Sequence, residues 1–246
     1  MELMPHLKLP DNLGIHYGIL PGDPARVDRI GEQLEDVQEL AFNREYKSIR
    51  GTYKGLPVLA VSTGIGGPSM GIAVEELTRM GVTHLIRIGS CGALQKNIRL
   101  GDLILVQGAV RDEGASKTYL DPIYPAVPDF DLLCACAAAA KEEGIPAHVG
   151  LARSHDSFYT DREDEIDAFW SGKGVLGADM ETAALFVIGR LRGVHTASIL
   201  NTVVEYEDSL EDNINSYTDG ASKMMQGEHN EIHTALEACY RISQAD

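Results

Sequence analysis

Short apolar runs alternate along the chain with segments whose apolar residues recur at helical spacing. Runs of this length suit buried strands, and helices separate most of them, so the pattern predicts an α/β fold. The predicted strands are residues 16–20, 37–42, 57–62, 82–92, 101–110, 148–154 and 194–203. The predicted helices are residues 25–34, 70–80, 130–143, 161–169, 177–191 and 218–243.

The run at residues 82–92, VTHLIRIGSCG, carries an arginine inside an apolar strand. Arg87 lies between Ile86 and Ile88, and its guanidinium cannot lose its proton to escape the cost of burial. It therefore needs an anionic partner. That partner is either an internal carboxylate or a bound anion held jointly with the Ser90 hydroxyl and the amides of the glycine turn, a set of donors suited to phosphate.

Three predicted strands end in glycine-containing turns: PGDP at 21–24, TGIGGPS at 63–69 and GSCG at 89–92. A strand, a glycine turn and a helix start together present free amides and a positive helix end to an anion. Ligands in α/β sheets collect outside the carboxyl ends of the strands, so these turns predict one shared site. The arginines distributed among them are Arg26, Arg44 and Arg87.

Composition narrows the class of protein. The 246 residues with 44% hydrophobic content fit one α/β domain, residues 1–246, with a sizeable core. A net charge of −16 argues against nucleic acid or an anionic membrane as partner, so any phosphate site is a local positive pocket. The four cysteines show no metal-binding or disulfide spacing, and no segment resembles a signal peptide or membrane span. We expect a cytoplasmic protein with reduced thiols and no metal site.

Five motifs, PGDPARV, NREY, STGIGGPS, RIGSCGAL and DMETAAL, follow one another across nearly the whole chain. In this order they resemble the uridine and purine nucleoside phosphorylase family. The resemblance implies one α/β domain with a mixed, twisted and partly barrel-like central sheet flanked by helices. It also implies a pentosyltransferase that cleaves a nucleoside reversibly with phosphate, giving free base and (deoxy)ribose 1-phosphate. Inorganic phosphate is then a co-substrate, no cofactor is needed, and the assembly is a homo-oligomer of dimers, most commonly a hexamer.

The resemblance also assigns roles to individual residues. Phosphate is expected to be bound by Gly22, Arg26, Arg87 and Ser90, together with Arg44 from the neighbouring subunit. Ribose is expected to be bound by Met180, Glu181 and, across the dimer contact, His6. The base is expected to lie against Phe158, Cys91 and Gly92. Asp179 stands where relatives commonly have Glu, and its role stays open. Because the sugar becomes cationic as the bond breaks, a phosphate dianion held by arginines is both nucleophile and stabilising charge.

The base is less clearly specified. Uridine phosphorylases resemble one another in a Gln and an Arg, two residues apart, that follow the FY pair and recognise uracil. Here those positions hold Arg162 and Asp164, so this Gln and Arg pair is missing. Purine enzymes place an acid after the last strand, and here Glu205 follows one or two residues late. We favour purine nucleosides, with Arg87, Glu181 and Glu205 as the catalytic set and Arg162 near the base. A uridine phosphorylase with an atypical base pocket is the alternative.

Two other classes of protein remain as alternatives to a phosphorylase. A hydrolytic nucleosidase of the same fold uses water and has no need of arginines around a phosphate. A non-catalytic nucleoside-binding protein would leave Glu181 without a purpose.

The acidic segment 205–215 is long and polar and follows the last strand beside the site, which suggests a lid over the base.

Overall fold

The computed structural model describes residues 3–206 and 222–245, in which nine strands form one mixed sheet. The strands are β1 Tyr17–Pro21, β2 Glu35–Asn43, β3 Tyr46–Tyr53, β4 Leu56–Val61, β5 His84–Ala93, β6 Leu103–Asp112, β7 Ala147–His155, β8 Gly177–Asp179 and β9 His195–Val204. The helices in the described part are α1 Pro24–Gly31, α2 Gly67–Arg79, α3 Ala115–Tyr119, α4 Phe130–Glu142, α5 Glu163–Ser171, α6 Thr182–Leu191 and α7 Ser222–Ser243. The predicted α/β class is confirmed.

The sheet closes partly on itself. Its order is β2-β3-β4-β1-β5-β8-β7-β6-β9, and β9 pairs again with β5, so five strands form a closed mixed barrel. β5 and β9 run parallel over most of their length, from His84 opposite His195 to Ser90 opposite Asn201. The partly barrel-like sheet implied by the family resemblance is therefore present, with β2, β3, β4 and β1 extending it on one side.

Apolar side chains alternate between two cores on opposite faces of β5. Leu85 packs into the core that contains Phe186 of α6, while Ile86 and Ile88 pack into the core that contains Leu236 of α7. Burial of each large aliphatic side chain contributes roughly 1.5–3 kcal/mol. Because the strand is covered on both faces, it reads as a continuous apolar run, and Arg87 is the exception within it.

The three glycine turns meet at one edge of the sheet, because β4, β1 and β5 are parallel neighbours and end together. The first two turns are bonded directly: the Thr63 amide donates to the Pro21 carbonyl at 2.9 Å, and the Gly64 amide donates to the Gly22 carbonyl at 3.0 Å. Gly64 has φ +68°, a backbone conformation that residues other than glycine rarely adopt. The predicted convergence of the turns is thus observed.

The helix predicted at residues 177–191 begins later in the structure. Residues 177–179 form β8, and helix α6 begins only at Thr182, because the Asp179 carboxylate accepts the Thr182 amide at 3.0 Å and caps the first turn. Helix α3 was not predicted. The proposed lid lies outside the described residues, except for Glu205 and Tyr206. None of the helices within residues 3–206 and 222–245 is long and apolar enough to cross a membrane.

Candidate active site

A cavity of about 1180 Å³ opens at the edge of the sheet where the glycine turns meet. Its wall is formed by the turns after β1, β4 and β5, by the junction of β8 with α6, by helix α5 and by the end of β9. The chain places most of the predicted site residues on this wall. We name three groups of these residues after the part of the substrates that the family resemblance assigns to them: the phosphate end, the sugar end and the base end.

Arg87 lies at the phosphate end and is only 3% exposed. Its Nε donates to Asp179 Oδ2 at 3.0 Å, and its Nη2 lies 2.5 Å from Glu181 Oε2. Its Nη1 is buried and has no hydrogen-bond partner among the described residues. The guanidinium lies across Gly89, where a Cβ would stand 2.7 Å from Arg87 Cζ. Internal carboxylates therefore neutralise Arg87, and one donor is still left over for another acceptor.

Arg26 and Ser90 lie beside Arg87 on the same wall. Arg26 is 3% exposed, and its Nη2 donates to Ser90 Oγ at 3.1 Å. Arg26 sits in the first turn of α1, whose start is capped by Asp23 Oδ1 accepting the Ala25 amide at 2.9 Å. Gly22 lines the wall just before this cap. Two guanidinium groups, a hydroxyl and a helix N-terminus thus face one volume, which suits an anion.

Glu181 marks the sugar end, with Met180 beside it on the wall. The Glu181 carboxylate is held from two sides, by Arg87 Nη2 and by the Gly66 amide, which donates to Oε1 at 2.5 Å. Burial raises the pKa of Glu181 despite the neighbouring guanidinium. The carboxylate is therefore fixed between the phosphate end and the loop before α2, where it can accept hydrogen bonds from sugar hydroxyls.

Asp179, whose role the sequence left open, orients Arg87. Besides the Arg87 bond, its carboxylate accepts Ser154 Oγ at 2.6 Å and Thr182 Oγ1 at 2.5 Å. These bonds join β7, β8, α6 and β5 behind the cavity. The signal available from sequence was indirect: a buried arginine needs a carboxylate, and the DMET motif offers two.

Phe158, Cys91 and Gly92, which the family resemblance assigns to the base, all line the cavity. Burial raises the pKa of Cys91 to about 12, so it is a neutral thiol. Helix α5 adds two carboxylates, Glu163 and Asp167, which line the same wall. Neither has a hydrogen-bond or ion-pair partner within residues 3–206 and 222–245, and burial raises the pKa of both.

Arg153 and His155, both on β7, complete the base end. Arg153 Nε donates to Asp112 Oδ2 at 2.8 Å, and the positive charge of Arg153 acts on Asp167 and Glu163. Burial lowers the pKa of His155, which favours the neutral ring. Sequence reasoning missed these four polar residues, because an acidic helix and a strand of alternating polarity are also the pattern of ordinary surface elements.

Glu205 lines the wall at the end of β9, but its carboxylate is already engaged. It accepts the Leu100 amide at 3.1 Å and Arg99 Nη1 at 2.9 Å. The Leu100 amide, followed by Arg99, holds the pKa of Glu205 below its usual value. The arrangement favours an ionised acceptor over a proton donor.

Three predicted site residues do not line this chain's own cavity. Arg162 is exposed, and its Nε and Nη2 both donate to the Glu165 carboxylate at 3.0 Å. Arg44 is exposed at the β2–β3 turn. His6 is held on α2 by Glu76, whose Oε1 lies 2.6 Å from Nδ1. No group of three or more His, Cys, Asp or Glu side chains in the described part of the chain is placed to hold a metal ion.

Comparison with known proteins agrees with this geometry. A sequence model of the phosphorylase superfamily matches residues 16–231. The chain is 41% identical over 199 residues to a guanosine phosphorylase of Halorubrum lacusprofundi, covering 81% of this chain and 82% of that protein. It is 35% identical to a uridine phosphorylase of Klebsiella aerogenes, covering 96% and 97%.

Solved structures give the same result. A uridine phosphorylase of Vibrio fischeri superposes with a TM-score of 0.91 at 48% identity, covering 98% of each chain. A purine nucleoside phosphorylase of Toxoplasma gondii, solved with immucillin-H, superposes with a TM-score of 0.89 at 31% identity, covering 100% of this chain and 98% of that one. The chain therefore belongs to the phosphorylase superfamily, within the nucleoside phosphorylases that its motifs predicted.

Proposed function

We propose that the protein cleaves the N-glycosidic bond of a purine nucleoside with inorganic phosphate, giving free base and (deoxy)ribose 1-phosphate. The observation that carries this proposal is Arg87 Nη1, a buried donor with no partner among the described residues, beside Arg26 and Ser90 on the cavity wall. A buried donor without an acceptor costs free energy, and a phosphate oxygen removes that cost.

The proposed reaction uses all three groups of cavity residues. A phosphate oxygen attacks C1′ of the sugar as the bond from C1′ to the base nitrogen breaks, and the bonding electron pair leaves with the base, which takes up a proton. The arginines position the dianion below a sugar that becomes cationic. Glu181 holds the sugar hydroxyls, and its fixed carboxylate lies next to the developing positive charge. No step requires a cofactor.

The same arginine set argues against the two rival classes. A hydrolytic nucleosidase delivers water, which is neutral and gains nothing from the buried Arg87 and Arg26. A binding protein has no need to hold an anion against the sugar end. Product analysis separates the three: ³¹P NMR of a reaction with nucleoside and phosphate detects a sugar 1-phosphate only if phosphorolysis occurs. Free ribose would support the hydrolase, and unchanged nucleoside would support binding alone.

The carboxylates on α5 support a purine, and guanine in particular. The free edge of guanine presents one carbonyl acceptor and two donors, N1–H and the 2-amino group, whereas uracil presents one donor between two carbonyls. Glu163 and Asp167 offer acceptors, and Arg153 beside them offers donors. This set complements guanine and places carboxylates against the carbonyls of uracil. The guanosine phosphorylase among the relatives is consistent with this assignment.

Uridine is the second candidate substrate. It is supported by the names of most of the similar proteins, including the Vibrio fischeri structure that superposes over 98% of this chain. Uridine phosphorylases of the family recognise uracil with a Gln and an Arg. At those two positions this chain has Arg162 and Asp164 instead. A uridine phosphorylase on this chain would need an atypical base pocket.

We also propose that Glu205 contributes charge at the base end and does not donate the proton. Its carboxylate accepts two hydrogen bonds and its pKa is lowered, so it is ionised at neutral pH. The base nitrogen would then take its proton from water, with the negative charge of Glu205 favouring protonation.

Arg44 and His6 support a shared site in a dimer-based oligomer. Both lie outside this chain's cavity, and they are joined through Asn43, whose Nδ2 donates to the His6 carbonyl at 2.7 Å. One surface thus presents an arginine and a histidine to a neighbour. Mixing inactive Arg44→Ala and Arg87→Ala proteins should restore part of the activity, since a hybrid dimer then contains one intact site. No recovery after mixing and reassembly would argue for an independent site in each chain.

A further inference from the structure

The C-terminal helix α7 is docked tightly beside the phosphate end. Asn201 Nδ2 on β9 donates to the Met224 carbonyl at 2.9 Å, and a Cβ at Gly101 would stand 2.6 Å from the Lys223 carbonyl oxygen. The helix therefore cannot shift at its first turn without losing these contacts. From this fixed start it directs two glutamates, Glu228 and Glu231, toward the arginines of the site, and both are essentially fully buried.

The two glutamates have different surroundings. Glu228 is paired with α1, because Arg26 Nε donates to its Oε2 at 2.8 Å and Arg29 Nη2 donates to the same oxygen at 3.2 Å. Glu231 contacts both the glycine turn of β5 and Arg26. Its Oε2 accepts the Gly89 amide at 3.1 Å, and its Oε1 lies 3.3 Å from Arg26 Nη1 with no hydrogen bond among the described residues.

We propose that Glu231 is a positioning residue for the phosphate site, and that its ionised carboxylate competes with phosphate for Arg26. The proposal rests on the phosphate site inferred above. Glu231 reaches two parts of that site at once, the turn that carries Ser90 and the guanidinium that bonds Ser90. It does not line the cavity, so it acts through those groups and not on the substrate.

The charges around Glu231 decide when it competes. The charged groups that face it are Arg26 from α1, Arg87 from β5 and Glu228 from its own helix. Burial, with a smaller contribution from Glu228, raises the pKa of Glu231 to about 8. At neutral pH the carboxyl is therefore mostly protonated, so that of the two glutamates only Glu228 offsets the positive charge of Arg26. As pH rises above about 8, a second carboxylate appears beside Arg26 and weakens phosphate binding.

The test compares the wild-type protein with Glu231→Gln between pH 6.5 and 9.5. Glutamine keeps the acceptor for Gly89 and cannot ionise. The matched control is Glu237→Gln, the same change on the same helix, at a side chain that bonds Tyr53 and Lys54 instead of the phosphate arginines. The readouts are the KM for phosphate at saturating nucleoside and, independently of turnover, the dissociation constant for inorganic phosphate by calorimetry.

The expected result is a difference that grows with pH. At pH 7 the dissociation constants of wild type and Glu231→Gln for phosphate should agree within about threefold. At pH 9 the constant of the wild type should be about tenfold higher than that of Glu231→Gln, because Glu231 is then about one pH unit above its pKa. Glu237→Gln should follow the wild type. Parallel profiles for wild type and Glu231→Gln would overturn the proposal. Normal phosphate binding without turnover would overturn the proposed reaction and leave this comparison intact, and no binding at any pH would overturn both.

Discussion

Arg87 and Glu181 form a buried ion pair, with Nη2 2.5 Å from Oε2, and yet Arg87 keeps a second terminal nitrogen without a partner among the described residues. One side chain thus serves the fold and the site. Its contacts with Glu181 and Asp179 neutralise a buried charge, and its remaining donor is the one that the proposed function assigns to phosphate. Removing one member of such a buried pair typically costs about 3–5 kcal/mol, because the other charge is left unpaired.

Replacing Arg87 should abolish phosphorolysis. In Arg87→Lys the positive charge stays, but one ammonium group cannot bond both carboxylates and phosphate, so kcat/KM for phosphate should fall at least about 100-fold. Arg87→Ala should lower the melting temperature as well. The control is Arg192→Ala, which breaks an exposed pair with Glu75 far from the cavity wall and should leave kcat/KM unchanged. Wild-type activity in Arg87→Lys would remove Arg87 from the phosphate site.

Asp167 should set the preference between guanosine and inosine, which differ only by the 2-amino group. Asp167→Asn replaces a charged acceptor, and a hydrogen bond to a charged group is worth about 1.5–3 kcal/mol, so kcat/KM for guanosine relative to inosine should fall about 10- to 100-fold. Arg162→Ala is the control, since Arg162 is exposed, does not line the cavity and pairs with Glu165. An unchanged ratio in Asp167→Asn, or a large change in Arg162→Ala, would contradict this account of the base end.

Glu205→Gln should retain most of the activity. A general acid contributes about 10²–10⁴-fold, so loss of the true proton donor would lower kcat at least 100-fold. Because Glu205 is an ionised acceptor, we expect kcat for guanosine to fall by less than about tenfold. Steady-state kinetics across pH measure this, and disappearance of the alkaline limb of the profile in the variant would reinstate Glu205 as the proton donor.

Glu231 should also leave a signature in the pH dependence of stability. Burial raises its pKa from the ordinary value of 4.5 to about 8 in the folded protein, so between these values the folded state holds a proton that the unfolded state has lost. The resulting stabilisation is complete below about pH 4.5 and disappears as pH rises to about 8. The free energy of unfolding of the wild type, relative to that of Glu231→Gln, should decline across this window by at most about 1.4 kcal/mol per pH unit.

Urea unfolding at pH 5, 6, 7 and 8 measures this decline. Glu237→Gln again serves as control, because the pKa of Glu237 is lowered and its contribution does not decrease as pH rises through this window. A constant difference between wild type and Glu231→Gln from pH 5 to 8 would show that Glu231 titrates normally.

Much of the fold and of the phosphate end could be predicted from sequence because the signals there are local. The strand that carries Arg87 is otherwise apolar. The turns around it contain glycines, some of them at backbone conformations that other residues rarely adopt. The family motifs then supplied the closure of the barrel, which periodicity alone does not reveal. The strand at residues 177–179 was too short to produce a pattern of its own.

The supporting groups of the site could not be predicted because their contacts are distant in sequence. Glu231 bonds the Gly89 amide across 142 residues, and a glutamate on an amphipathic helix looks the same whether it faces water or a buried arginine. The same holds for Asp167 on α5, where the direction of the helix relative to the cavity decides its role. Arg162 shows the same difficulty, because an ungapped match with relatives gives the position of a residue but not the partner of its side chain, which here is Glu165.

The most direct test of the central claim is release of free base from guanosine, inosine, adenosine and uridine, each with and without inorganic phosphate, followed by chromatography. The account predicts phosphate-dependent release, fastest from guanosine and slowest from uridine. Phosphate-dependent release from uridine alone would keep the phosphate site and overturn the base assignment. Release that proceeds equally without phosphate would contradict the claim that Arg87 and Arg26 hold the nucleophile.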